Sequence, residues 1–157
     1  MRHIFWLVPS VLAGRSGPSL DSWRLPEIRS AGIGAVLSVN DGELCHREDF
    51  EQLGMAYLCA PLSPNAPPEE GDAEHCQRVL PKAYEFCRFN ASRGVATLVH
   101  CHAGKDRTGL FLAYYLVHSR GLAPSVAIKQ VKAVRPIAFS APGWEEFALA
   151  VLHTRGA

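Results

Sequence analysis

The feature that most constrains this chain is an abrupt change of pattern near position 100. Val95-Ala96-Thr97-Leu98-Val99 is apolar or β-branched throughout, as expected of a strand buried on both faces. Thr108–Ser119 is apolar nearly all round, as expected of a central, buried helix. Between them stands a polar link, His100-Cys101-His102-Ala103-Gly104-Lys105-Asp106-Arg107-Thr108-Gly109.

The rest of the chain alternates strands and helices. Ile4–Val8 reads as a strand, and Pro9 to Leu20 as a turn-rich connection. Asp21 is placed to cap a helix over Ser22–Ala31, with Pro26 near its first turn. Gly32 and Gly34 precede a strand, Ala35–Val39, ended by Asn40-Asp41-Gly42. A polar helix is expected over Glu43–Leu53 and a short strand over Met55–Cys59. Ala60 to Asp72 holds four prolines and a glycine. That composition fits neither strand nor helix interior, and loops this long tend to be functional. Asp72 then caps a long helix whose apolar positions Cys76, Val79, Leu80, Ala83, Tyr84 and Cys87 step by threes and fours, with a kink expected at Pro81. Ala127, Val131 and Val134 mark a further helix; Trp144, Phe147, Ala148, Val151 and Leu152 mark the last.

The pattern implies an α/β fold: a small, mostly parallel sheet of about four to five strands with helices on both faces. At 157 residues with 48% hydrophobic and 20% charged side chains, one domain over 1–157 is expected, able to bury a sizeable core. The 16 basic residues nearly balance the 15 acidic ones, so net charge supplies no general hold on nucleic acid or anionic membrane. The longest apolar run, Leu110 to Val117, is far short of the ~20 residues of a membrane span. Five cysteines, Cys45, Cys59, Cys76, Cys87 and Cys101, lack paired spacing. They argue against a disulfide scaffold or structural zinc and for a reducing, cytoplasmic setting. Arg2-His3 ahead of an apolar stretch from Ile4 to Gly14 resembles a short secretion signal, but Pro9 interrupts it and a first strand is the better reading.

The polar link has its own physics. A cysteine leaving a strand toward a helix N-terminus meets unpaired N–H groups and the positive end of the helix dipole. Such surroundings lower a thiol's pKa from ~8.5 into the range ~3.5–7.5. The residues that follow, His102, Ala103, Gly104, Lys105 and Asp106, can curl so that their amides converge on a phosphate group. Gly104 permits the backbone angles of such a curl. Arg107 offers a planar fork for two phosphate oxygens, and Thr108 a hydroxyl for the sulfur. Asp106 stands where a Walker motif requires Ser or Thr, so Gly104-Lys105 does not belong to one. His100 and His102 lack metal-ligand spacing.

With these residues the chain resembles the cysteine-dependent protein tyrosine and dual-specificity phosphatases, whose H-C-x5-R-[ST] signature is filled from His100 to Thr108. Leu12-Ala13-Gly14, Gly32–Val39, the Pro-rich loop and Val134-Arg135-Pro136 are similar to landmarks of the small dual-specificity type. The fuller form C-x-A-G-K-D-R-T-G is similar to bacterial and lipid-acting members, with Lys105 adding positive charge. The resemblance implies a monomeric phosphomonoesterase that needs no metal or cofactor. Cys101 attacks phosphorus, and water hydrolyses the phosphocysteine. Arg107 and the loop amides stabilise the transferring group, His100 supports the thiolate, and Thr108 assists its departure. Phosphotyrosine, phosphoserine and phosphothreonine proteins are the implied substrates. A phosphoinositide or other small phosphoester, and a non-catalytic phosphate-binding module, are the alternatives.

The chain departs from the resemblance at the general acid. Where an aspartate is usual stand Leu62, Ser63, Pro64 and Asn65. Asp106, Asp72, and Glu69 or Glu70 are the candidate substitutes, with Asp106 preferred. Cys76 and Cys87 read as core. Cys59, at the end of its strand, is a candidate redox partner of Cys101, and Arg135 a candidate for the pocket rim.

Overall fold

The structure, a computed structural model, describes residues 3–153; Arg2 of the signal-like start lies outside them. Eleven elements follow in order: β1 (Phe5–Val8), β2 (Leu12–Ser16), α1 (Leu25–Ser30), β3 (Ile33–Ser38), α2 (Arg47–Gln52), β4 (Ala56–Cys59), α3 (Asp72–Ser92), β5 (Ala96–Cys101), α4 (Arg107–Arg120), α5 (Pro124–Val134) and α6 (Trp144–His153). The five strands make one sheet in the order β1-β2-β5-β3-β4. Only the edge pair β1–β2 is antiparallel. The α/β reading is therefore correct, and β5 occupies the middle of the sheet.

Strand alternation divides the apolar side chains between two cores. Leu12, Leu37, Val99 and Cys101 face α3, α4, α5 and α6. Ala13, Val36 and Leu98 face Ile28 of α1 and Phe50 of α2. In α4, Leu110, Phe111, Leu112 and Leu116 are fully buried, each worth about 1.5–3 kcal/mol. The helix that starts at the polar link is thereby anchored along its length. Among the described residues no helix is long and apolar enough to cross a membrane.

Several local expectations need correction. The stretch Pro9–Leu20 contains β2, a strand buried at all five positions. Gly14 makes it possible, since a Cβ there would fall 2.3 Å from the Phe5 ring. The first helix starts at Leu25, not Ser22. Pro26 lacks the N–H that a deeper position must donate, so the helix begins where that N–H is not needed. Asp21 therefore caps nothing and pairs with Arg15 at 3.3 Å. Glu43 to Cys45 stay outside α2, with the Cys45 sulfur drawn to 3.8 Å from Ser38 Oγ. Gly71, at φ 91°, takes the N-cap position of α3 and Asp72 becomes its first residue; the helix runs through Pro81 without interruption.

Candidate active site

The polar link is a loop from the end of β5 to the start of α4, and its outside is fully occupied. The His102 carbonyl accepts Gly17 N–H at 3.0 Å. Arg135 donates from Nη2 to the Ala103 carbonyl at 2.7 Å and from Nε to the Gly104 carbonyl at 3.1 Å. The Lys105 carbonyl accepts Gly109 N–H at 3.2 Å and Phe139 N–H at 3.3 Å. In a trans peptide the N–H points opposite its C=O. The amides of Ala103, Gly104, Lys105 and Asp106 therefore turn inward, without a partner among the described residues, as a nest for an anion. Gly104 is fixed twice over: its φ is 65°, and a Cβ would meet the Arg15 carbonyl at 2.5 Å.

Cys101 lies at the floor of this nest, 2% exposed. Thr108 Oγ1 donates to its sulfur at 3.1 Å. Arg107 Nε donates to the Ser63 carbonyl at 2.8 Å, and its guanidinium lies 4.8 Å from the Trp144 ring centroid. Both terminal nitrogens are left without a protein partner among the described residues, and these are the two that can grip phosphate oxygens. Trp144 is itself fixed, its indole N–H donating to the Asn65 carbonyl at 3.0 Å. The Pro-rich loop thus supplies carbonyls that aim Arg107. Arg135 braces the loop from outside; burial lowers its pKa, and its nearness to Cys101 opposes that.

His100 is fully buried, and burial pushes its pKa down to about 4. It is neutral, and its partners fix where the proton sits. Nδ1 lies 3.2 Å from the Cys101 carbonyl and donates to it. Nε2 then accepts from Ser38 Oγ at 2.6 Å, which in turn accepts from Tyr57 Oη at 2.7 Å. His100 therefore fixes the backbone of Cys101, without a charge of its own.

Of the candidate acids, Glu69 and Glu70 are exposed on the Pro-rich loop, and Asp106 and Asp72 are engaged elsewhere. Asp106 is buried, its Oδ2 on Lys105 Nζ at 2.8 Å and its Oδ1 on Ala141 N–H at 3.2 Å. Asp72 Oδ2 accepts Glu69 N–H at 2.6 Å, and both its oxygens accept the Asn65 amide. Burial raises the Asp72 pKa, but hydrogen bonds from Glu69, Asn65 and Ser63 outweigh it and hold the carboxyl below its ordinary range. Lys105, paired with Asp106, is neutralised by its own neighbour.

Cys59 does not meet Cys101. It is paired in register with Ser38, and Ser38 with His100, so two strand spacings of ~4.8 Å each separate it from β5. That exceeds the ~7 Å over which Cα atoms can be bridged. The Cys45 sulfur lies 3.8 Å from His100 Nε2.

The residues that brace this loop from behind carry no signal in the sequence. Arg15, nearly fully buried, donates to the carbonyls of Ser16, Asp21 and Ser22 and so fixes the loop after β2. That loop brings Ser19 Oγ to 3.1 Å from His102 Nδ1. Nothing in the spacing of Ser19, Asp41 and His102 signals their approach, because they come from three separate segments.

Residues 1–140 match the family described as Swiss Army Knife protein, DSP-PTPase phosphatase domain. Over 79 residues the chain is 35% identical to the phosphatidylglycerophosphate phosphatase PTPMT1 of Arabidopsis thaliana, covering 47% of this chain and 23% of that protein. Over 118 residues it is 26% identical to a tyrosine-protein phosphatase of Autographa californica nuclear polyhedrosis virus, covering 73% of this chain and 67% of that one. The crystal structure of Tk-PTP in the active form superposes with a TM-score of 0.77 over 98% of each chain at 21% identity, a likeness of fold. The chain spans less than half the length of the Arabidopsis phosphatases it matches.

Proposed function

The chain belongs to the DSP-PTPase family of cysteine-based phosphatases, and from that premise we propose that it hydrolyses phosphomonoesters through a phosphocysteine at Cys101. The observation that carries the reading is the pairing of a sulfur held by Thr108 with a guanidinium aimed by the Ser63 carbonyl, across a nest of inward amides. A phosphate bound there meets Arg107 on two oxygens and the amides of Ala103 to Asp106 on the others. These donors are set before reaction and match charge that grows as phosphorus is transferred. In the first step Cys101 displaces the leaving oxygen. In the second, water attacks phosphorus and the sulfur departs, its charge taken up by the Thr108 hydroxyl.

Phosphotyrosine, phosphoserine and phosphothreonine proteins are the substrates this reading favours, in keeping with the viral tyrosine-protein phosphatase among the relatives. The plant relative's name supports a second reading, a lipid phosphate monoester. Hydrolysis of p-nitrophenyl phosphate by the purified protein, abolished in Cys101→Ser, is the expected result. Turnover of phosphotyrosyl and phosphothreonyl peptides against phosphatidylglycerophosphate then separates the substrate classes. Tight binding of phosphopeptide with no turnover of any ester would instead identify a binding module.

A further inference from the structure

Asp41 sits in a conformation that few residues adopt. Its φ is 61°, in the turn that follows β3, and its N–H donates to the Asn40 side chain at 2.9 Å. Its Oδ1 accepts the Ser19 hydroxyl at 2.6 Å. Its Oδ2 is buried with no hydrogen-bond partner among the described residues. Gly17 makes room for that oxygen, since a Cβ at position 17 would come within 2.3 Å of it. The result is a carboxylate with one uncompensated oxygen, held behind a serine by strained backbone. Such strain persists only where surrounding structure enforces it, and it gathers at functional sites.

Ser19 has a single hydroxyl proton, and at 2.6 Å it goes to Asp41. A lone pair of Ser19 therefore faces His102 Nδ1, 3.1 Å away, and the ring nitrogen is the donor. Nε2 of His102 is left without a protein partner among the described residues, on an exposed side chain. This imidazole directly follows the nucleophile in sequence. Its own carbonyl is pinned by Gly17, so ring and nest form one unit. Ser63 and Asn65, in the stretch that resembles the family's acid loop, lend their carbonyls to Arg107 and Trp144. Asp106 and Asp72 are occupied by donors of their own.

We propose that His102 carries the proton of the reaction, its ring oriented by Ser19 and its positive charge balanced by Asp41. The proposal rests on the reading of Cys101 as nucleophile. In the first step the Cys101 sulfur bonds to phosphorus while the bond to the leaving oxygen breaks. That oxygen takes the Nε2 proton of the imidazolium and departs as the alcohol, leaving a neutral ring. In the second step Nε2 takes a proton from the water that attacks phosphorus. The P–S bond breaks, and phosphate and the thiolate are restored. A carboxylate steadying an imidazolium from its far side serves serine hydrolases in the same way; here a hydroxyl stands between the two. Ser19 and Asp41 are positioning residues.

The test compares leaving groups. A good one, p-nitrophenolate, departs without help; a poor one, the phenolate of phenyl phosphate, needs a proton in the transition state. His102→Asn keeps a donor toward Ser19 yet transfers no proton, and Asp41→Asn tolerates the left-handed backbone. Expected for His102→Asn is a loss of about 100-fold in kcat/KM on phenyl phosphate and a change below about 3-fold in kcat/KM on p-nitrophenyl phosphate, since kcat/KM reports the first step and only the poor leaving group needs the acid there. Ser19→Ala and Asp41→Asn should lose roughly 10-fold on phenyl phosphate alone, as partial loss of the same proton transfer. Equal losses of kcat/KM on both substrates in His102→Asn would mark a merely structural role and overturn the proposal. So would a selective loss in Asp106→Asn with none in His102→Asn. Failure of the unaltered protein to hydrolyse either ester overturns the phosphatase reading itself.

Discussion

Arg107 Nε and the carbonyl of Ser63 are joined at 2.8 Å across 44 residues of sequence. The bond occupies the one guanidinium nitrogen that phosphate does not need and leaves the fork facing the nest. With the Trp144 ring beneath it, the side chain is ordered before any substrate arrives, so little rotamer entropy remains to be lost on binding.

Arg107→Lys removes the fork while keeping the charge. A fall in kcat of at least about 100-fold is expected, the scale of losing one preorganised donor to a transition-state oxyanion. Trp144→Leu should leave Arg107 chemically intact but unaimed, weakening vanadate binding and raising KM more than it lowers kcat. Steady-state kinetics and vanadate titration on both variants check this.

Thr108 is fully buried, and its hydroxyl reaches the Cys101 sulfur at 3.1 Å. Thr108→Val keeps the shape and removes the donor, so loss should concentrate in the second step, where the sulfur must depart with its charge. The expected outcome is a burst of p-nitrophenol approaching one equivalent of enzyme, followed by turnover about 10-fold slower. Thr108→Ser should restore the unaltered time course.

Burial takes His100 from an ordinary 6.5 to about 4. The sign follows from proton counting. Between those values the unfolded chain binds a proton at this site that the folded chain refuses. Stability is therefore fully present above about pH 6.5 and lost as pH falls toward 4, by on the order of 3 kcal/mol from this group. Urea unfolding at pH 7, 6 and 5 should show the decline, and His100→Asn should show a shallower one.

Gly104→Ala places a Cβ 2.5 Å from the Arg15 carbonyl and forces a φ of 65° on a residue that resists it. The conformational part alone costs about 1–2 kcal/mol, and the clash pushes the loop off β2. A lowered urea midpoint together with lost vanadate affinity is expected.

The loop from His100 to Thr108 was legible because it is local. Strand, nest, arginine and helix lie in one continuous stretch from Val95 to Ser119, and each residue's chemistry is declared by its neighbours. The groups that brace it were not. Ser63 and Asn65 contribute backbone carbonyls, which no side chain advertises. Gly14 and Gly17 look like turn residues; only the crowding of Phe5 and Asp41 shows why they must be small. Asp41 reads as part of a strand-ending Asn-Asp-Gly turn, and it is one, yet the same turn carries its carboxylate to Ser19. The sequence marks Asp72 as the cap of α3, but Gly71 takes that position, and the Asp72 carboxylate turns back onto Glu69 and Asn65.

Reactivity toward iodoacetate should separate Cys101 from the other four thiols, the exposed Cys59 included. Burial pushes the thiols of Cys45 and Cys76 up and that of Cys87 to about 12. Iodoacetate at pH 6 should alkylate Cys101 first, and vanadate should slow that reaction alone.

The most direct measurement is acid quenching during turnover of p-nitrophenyl phosphate, followed by peptide mass spectrometry. The account requires one phosphoryl adduct, on the peptide that carries Cys101 and at its sulfur, enriched in Thr108→Val. Continued turnover with the adduct on another side chain, or with none in Thr108→Val, would contradict it.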